Sequence, residues 1–224
     1  MPIILFDIDG TLVRTGGAGK AAMEQALVSA FGVTELRDGV KYSGRTDGAI
    51  GRDLLVAHGV EPTLANQHKL RDAYLANLPG SLQERGGEVC PGIPELLARL
   101  VGRTDVVLGL LTGNVRLGAR HKLEHFRLWE HFTCGGFGDD RYERDDVARA
   151  ALAHAISHVG RDIAPADVWV IGDTPHDVTC ARAIGANAVA VATGWHPLDE
   201  LAGCAPDLLF NDLSDHTKLL AVWD

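Results

Sequence analysis

Four short stretches of the 224-residue chain are apolar almost without a break: residues 3–6, 106–111, 168–171 and 188–192. Continuous rather than alternating apolarity marks strands buried on both faces, as in a parallel sheet covered by helices. Helical patterns lie between them, at 94–100, 117–126, 147–158 and 176–184, while 132–137 reads as a weaker strand and 208–210 as a short last one. Strand and helix alternate from about residue 90 onward, which predicts an α/β fold, a Rossmann-like open parallel sheet with right-handed crossovers.

Residues 16–89 break that rhythm and read as helices only. Met23, Leu27, Ala30 and Phe31 form one apolar stripe, Ile50, Leu54 and Leu55 a second, and Leu70, Tyr74 and Leu78 a third. Gly16, Gly17 and Gly19 punctuate the entry; Pro79, Gly80, Gly86, Gly87, Pro91 and Gly92 punctuate the exit. The pattern predicts a small helical domain, 16–89, inserted into a core made of 1–15 and 90–224. Its two linkers, running side by side, are placed to act as a hinge.

Composition narrows the function classes. The formal charge is −9 and no run of Lys or Arg occurs, so neither nucleic acid nor a membrane surface is an expected partner. An anionic substrate would need a local attraction: a metal, a few arginines or aimed backbone N–H groups. The four cysteines are far apart and form no C-x-x-C pair. No apolar stretch is long enough to span a bilayer and no targeting segment is evident. The expectation is a reduced, cytoplasmic protein, monomer or homodimer.

The chemistry gathers where strands end. In "LFDIDGTLV" (5–13) the first strand runs out into Asp7 and Asp9, and a period of two puts both on one face. Close carboxylates repel unless a cation lies between them, and an oxygen-liganded ion such as Mg²⁺ suits that place; a plain Asp-Gly turn is the alternative. "LLTGN" (110–114) ends a second strand with Thr112 and the Gly113 turn, and "VIGDTPHDV" (170–178) ends another with Asp173, then Asp177. Open α/β sheets bind ligands outside the carboxyl ends of their strands, so these residues are expected to share one crevice. "TGGAGKAA" (15–22), by contrast, lacks the first Gly and the Ser or Thr of a phosphate-binding P-loop.

DIDGT, the strand-terminal threonine of LLTGN and GDTPHD, in that order, resemble the haloacid dehalogenase (HAD) superfamily. The helical insert resembles its cap, and "PGIPELLARL" (91–100) resembles the return to the core in phosphoglycolate-phosphatase-like members. The resemblance implies Asp7 as the nucleophile, forming an aspartyl-phosphate and ligating Mg²⁺. It implies Asp9 as general acid and then base, its backbone carbonyl on the metal. Thr112 would hold a phosphoryl oxygen, Asp173 ligate the metal and Asp177 organise its water shell. Asn114, with Gly113 beside it, would bind substrate through a backbone N–H.

One motif departs. Where the family usually carries a Lys ahead of a helix, "FGDDRYERDDVARAAL" (137–152) has none. Arg144 is the best substitute, with a surface role as the alternative and Arg141 as the other candidate. In "YSGRTDGAI" (42–50) Arg45 is the expected substrate contact, with Thr46 or Asp47 capping the helix; helix capping alone is the competing reading. His176, His121, His125 and His131 have no ligand spacing, Trp169 reads as core, and Trp195-His196 borders the site at most.

The expected activity is Mg²⁺-dependent hydrolysis of a small phosphorylated metabolite, of the phosphoglycolate or sugar phosphate type. Asp9 argues against dehalogenation, which has no leaving alcohol to protonate. Lys20, Lys41 and Lys69, the lysines of the insert, sit in no motif for imine chemistry. The rivals are a sugar phosphomutase resembling β-phosphoglucomutase and a non-catalytic HAD-fold binding protein.

Overall fold

The computed structural model describes residues 1–223. The chain opens with β1 (Ile3–Phe6) and a two-residue strand, β2 (Val13–Arg14). Three helices follow, α1 (Ala18–Phe31), α2 (Asp47–Ala57) and α3 (Leu64–Arg85), and then β3 (Glu88–Val89). From there strands and helices alternate: α4 (Ile93–Leu100), β4 (Val107–Leu111), α5 (Arg116–His125), β5 (Cys134–Gly136), α6 (Arg144–Val159) and β6 (Val168–Gly172). The chain finishes with α7 (Pro175–Ala183), β7 (Asn187–Val191), α8 (Leu198–Gly203), β8 (Leu208–Phe210) and α9 (Thr217–Leu220).

Six strands form one sheet in the order β5–β4–β1–β6–β7–β8, and every neighbouring pair is parallel. β1 is central, with Ile3 paired to Val107 on one side and to Val168 on the other. Its side chains divide by pleat. Ile4, Phe6 and Ile8 join a cluster with α4 and α5, while Ile3 and Leu5 join another with α6 and α7. That two-faced burial is why the strand reads as an unbroken apolar run. From β1 the chain moves outward to β4 and β5; from β6 it moves the other way, to β7 and β8. The carboxyl ends of β1 and β6 therefore flank the crevice where strand order reverses.

The helical segment has a core of its own, built from the second and third expected stripes, from Met23 and Leu27 of the first, and from Val115 at the start of α5; Phe31 packs against it only partly buried and Ala30 stays outside. Thr46 caps α2 by accepting from the Ala49 N–H at 3.2 Å, and Thr63 caps α3 by accepting from Asn66 at 3.2 Å. One reading of the sequence fails here. Pro79 and Gly80 do not end the segment, because α3 runs through them to Arg85. Leu78, Ser81 and Leu82 are buried there, and that packing outweighs the hydrogen bond a mid-helix proline removes. The exit comes at Gly86 and Gly87, both at positive φ. The two linkers do lie side by side: β2 and β3 pair antiparallel, Val13 with Val89 and Arg14 with Glu88, so the stretch is not helical throughout. The short helices α8 and α9 also escaped the hydrophobic pattern, being too brief to show a period.

Candidate active site

Asp7 continues β1 by one residue, its N–H donating to the Ile171 carbonyl at 2.9 Å. Its carboxylate is buried. The chain turns at Gly10, whose φ is +88° and where a Cβ would collide with Asp173 Oδ2; only glycine lets the loop close over that carboxylate. Thr11 Oγ1 donates to Asp173 Oδ1 at 3.0 Å. Past β6, Asp177 Oδ2 accepts from Thr174 N (3.1 Å) and Thr174 Oγ1 (2.7 Å), a capping box that starts α7. One carboxylate oxygen from each of Asp7, Asp173 and Asp177 lies within 4.8 Å of the others, all three residues buried.

Arg144, the first residue of α6, enters this cluster. One guanidinium nitrogen lies 3.4 Å from Asp7 Oδ1 and the other bonds Asp177 Oδ1 closely. Burial, partly offset by Arg144 and reinforced by Asp177 and Asp9, pushes the Asp7 carboxyl up to about 7. Burial and the neighbouring Asp177 and Asp7 charges hold Asp173 well above the usual carboxylate range. Three buried carboxylates facing one guanidinium leave a local excess of negative charge, and a donor set made only of oxygens fits a hard divalent cation.

The other wall comes from the end of β4. Thr112 is buried, and its Oγ1 accepts from Asn114 N (3.3 Å) and Asn114 Nδ2 (2.8 Å), so its own hydrogen stays free to donate. Asn114 Nδ2 also donates to Asp9 Oδ2 at 2.8 Å. The expected backbone N–H of Asn114 is thus turned to Thr112, and it is the side chain that reaches Asp9. Lys122, from α5, donates to both Asp9 Oδ2 and Asn114 Oδ1 at 2.6 Å. Sequence reading passed over Lys122. A signal was there: with Gly118, Ala119 and Leu123 it occupies the buried face of α5, where a lysine needs a partner.

A cavity of about 860 Å³ opens above these groups. Asp7, Asp9, Thr112, Gly113, Asn114, Arg144 and Asp173 all line it, so the crevice expected from the strand ends is present; Asp177 lies just behind, in the buried cluster. Arg45 lines it from the helical segment, but its guanidinium is held by Asp53 (2.8 Å) and the Lys41 carbonyl (3.1 Å). Thr46 is the helix cap, and Gly113 accepts the Asp47 N–H at 2.8 Å, tying the start of α2 to the end of β4. Arg141 bonds the Phe137 and Asp139 carbonyls instead of the acidic cluster. Trp195, 91% exposed, stands at the cavity rim. Beside it His196 Nε2 lies 3.0 Å from Ser43 Oγ, which joins the loop before α2 to the one after β7. His176 is exposed, as its helix position suggests.

Residues 4–191 match the family of haloacid dehalogenase-like hydrolases. The chain is 30% identical over 222 residues to a probable phosphatase, IndB, of Dickeya dadantii, covering 96% of this chain and 91% of that one. It is 29% identical over 215 residues to a phosphoglycolate phosphatase of Synechococcus elongatus, covering 96% and 95%. Among solved structures, CbbY from Rhodobacter sphaeroides in complex with phosphate superposes with a TM-score of 0.76 at 22% identity, over 96% of each chain; at that identity the likeness is one of fold.

Proposed function

The chain belongs to the haloacid dehalogenase-like hydrolases and is a phosphatase of that family, and we propose that it hydrolyses a small phosphorylated metabolite, of the phosphoglycolate or sugar phosphate type, through an aspartyl-phosphate on Asp7. The observation that carries this reading is the unequal setting of two carboxylates two residues apart. Asp7 is buried beside Arg144, Asp173 and Asp177. Asp9 is 43% exposed to the cavity and held by neutral and cationic donors. Pairs of carboxylates in different settings divide their chemistry.

In the proposed reaction an Asp7 oxygen bonds to phosphorus in line with the ester oxygen, and the bond from phosphorus to that oxygen breaks. Asp9 hands its proton to the leaving alcohol, an effect worth about 10²–10⁴-fold. Thr112 donates its free hydroxyl hydrogen to a phosphoryl oxygen, and Arg144 offsets the charge gathered around Asp7. Asp9 then takes a proton from water, whose oxygen attacks phosphorus and releases Asp7 and inorganic phosphate. Mg²⁺ would be held by Asp7, Asp173, Asp177 and the Asp9 carbonyl, where it would neutralise phosphoryl charge and keep Asp7 ionised. Residues 16–89 serve as a cap on the core of 1–15 and 90–224, closing the cavity against water. The cytoplasm is the proposed location.

The test is release of p-nitrophenol from p-nitrophenyl phosphate with Mg²⁺, with EDTA and with Asp7→Asn. Turnover that needs the metal and disappears in the variant is expected. Undiminished turnover by Asp7→Asn would end the aspartyl-phosphate reading.

A further inference from the structure

Lys122 is the only buried lysine of the five, its side chain 5% exposed. Burying an ammonium is costly unless every donor is used well. A methionine would fill the same helical face beside Ala119 and Leu123 without that cost. The ammonium instead ends between two oxygens, Asp9 Oδ2 and Asn114 Oδ1, each at 2.6 Å. It is roofed by the insert, since a Cβ at Gly19 would come within 3.4 Å of Nζ. It takes no part in the acidic cluster that Arg144 serves.

The two oxygens of Asp9 are treated differently. Oδ2 accepts from both Lys122 Nζ and Asn114 Nδ2. Oδ1 has no hydrogen-bond partner among the described residues, and the Asp9 side chain lines the cavity. A carboxyl group anchored through one oxygen can rotate little, and the anchored oxygen is the one that carries no proton. The free oxygen faces whatever the cavity holds.

We propose that Lys122 is a positioning residue for Asp9: together with Asn114 it clamps Oδ2 and so aims Oδ1 at the departing ester oxygen. The proton moves from Oδ1 to the leaving alkoxide as the P–O bond breaks, and Oδ1 recovers a proton from the attacking water in the second step. Lys122 itself gains and loses nothing. The proposal rests on the hydrolase reading above and adds to it a division of the cationic work. Arg144 serves the nucleophile; Lys122 serves the acid and base.

That division has a signature that mere structural support lacks. An alkyl phosphate has a poor leaving group that needs the proton, whereas p-nitrophenolate leaves without one. The experiment measures kcat for ethyl phosphate and for p-nitrophenyl phosphate, with Mg²⁺, in wild type, Lys122→Met and Asp9→Asn. Lys122→Met is expected to lose about 100-fold on ethyl phosphate and less than about 10-fold on the aryl ester, following Asp9→Asn in kind. Equal losses on both esters would overturn the proposal, since Lys122 would then be serving the phosphoryl group or the fold. No loss on either would overturn it as well. If Lys122→Met does not fold, Lys122→Arg, which keeps the charge but brings a longer fork, is read by the same alkyl-to-aryl ratio. Failure of the wild type on both esters would remove the hydrolase reading itself, a result distinct from either outcome for Lys122.

Discussion

The two walls of the cavity handle charge in opposite ways. On the Asp7 wall three buried carboxylates meet one guanidinium. On the Asp9 wall the Asp9 carboxylate meets the Lys122 ammonium, with Asn114 and Thr112 completing the network, and the Asp47 carboxylate also feels the Lys122 charge. The first wall is short of positive charge by about the amount a divalent ion carries; on the second, Asp9 has an ammonium of its own. Two aspartates separated by one isoleucine thus end up in different chemistry. The difference comes from what β6 and α6 bring to Asp7, and from what β4 and α5 bring to Asp9. On the proposed reading, the first wall would hold the metal and the second would supply the acid and base.

Arg144→Ala should break the Asp7 wall most severely. Removing the guanidinium leaves Asp7 and Asp177 buried without their cationic partner, and breaking such a pair costs about 3–5 kcal/mol. We expect that loss in chemical denaturation without metal, partial recovery when Mg²⁺ is added, and a fall of kcat/KM by more than about 100-fold. Activity within a few-fold of wild type would mean that the guanidinium is a bystander to the nucleophile.

Charge excess on that wall also predicts a pH dependence. The Asp7 carboxyl is raised from 3.8 to about 7, and Asp173 is raised too. Ionising either group costs more in the folded state than in the unfolded one. Metal-free protein should therefore lose stability as pH rises from about 4 to about 7 through Asp7, and Asp173 works in the same direction. Mg²⁺ reverses the penalty only where the carboxylates are ionised. At pH 7.5, Mg²⁺ at about 100 times its Kd should add about 2.7 kcal/mol, a rise in Tm of about 5–10 °C for a chain of this size. At pH 5 the rise should shrink towards nothing. A Tm indifferent to Mg²⁺ at pH 7.5 would count against the contrast between the walls.

Much of the Asp7 wall was legible in the sequence, because strand ends concentrate it. Asp7 and Asp173 follow on apolar runs, as Thr112 does on the Asp9 wall, and a parallel sheet aligns such ends in one place. Arg144 was legible by its place before a helix. The Asp9 wall was legible only in part. Lys122 lies eight residues beyond Asn114, and although it sits on the buried face of α5, nothing local names the partner that its amino group finds at the strand end. The exit from the insert was misread for a similar reason: Pro79 stops an isolated helix, but α3 is held by its packing on α1, through Leu78 and Leu82. Local signals describe what a segment prefers alone. They miss what a neighbour compels.

The smallest expected effect concerns the rim above the Asp9 wall. Arg45 borders the cavity, yet its guanidinium is engaged with Asp53 and the Lys41 carbonyl. To touch a substrate it must exchange a partly exposed ion pair, worth no more than about 1 kcal/mol, for a contact of similar strength. The net gain is small and is spent on binding rather than on the transition state. Arg45→Ala should accordingly raise KM about 2–5-fold for a phosphate ester whose far end reaches the 42–45 loop, with kcat little changed. A short aryl phosphate, which does not reach that loop, should show no such rise. Equal increases for both esters would assign Arg45 to holding α2 in place through Asp53. In that case the insert would close the cavity without reading its contents, and discrimination among esters would fall to Trp195 and the core.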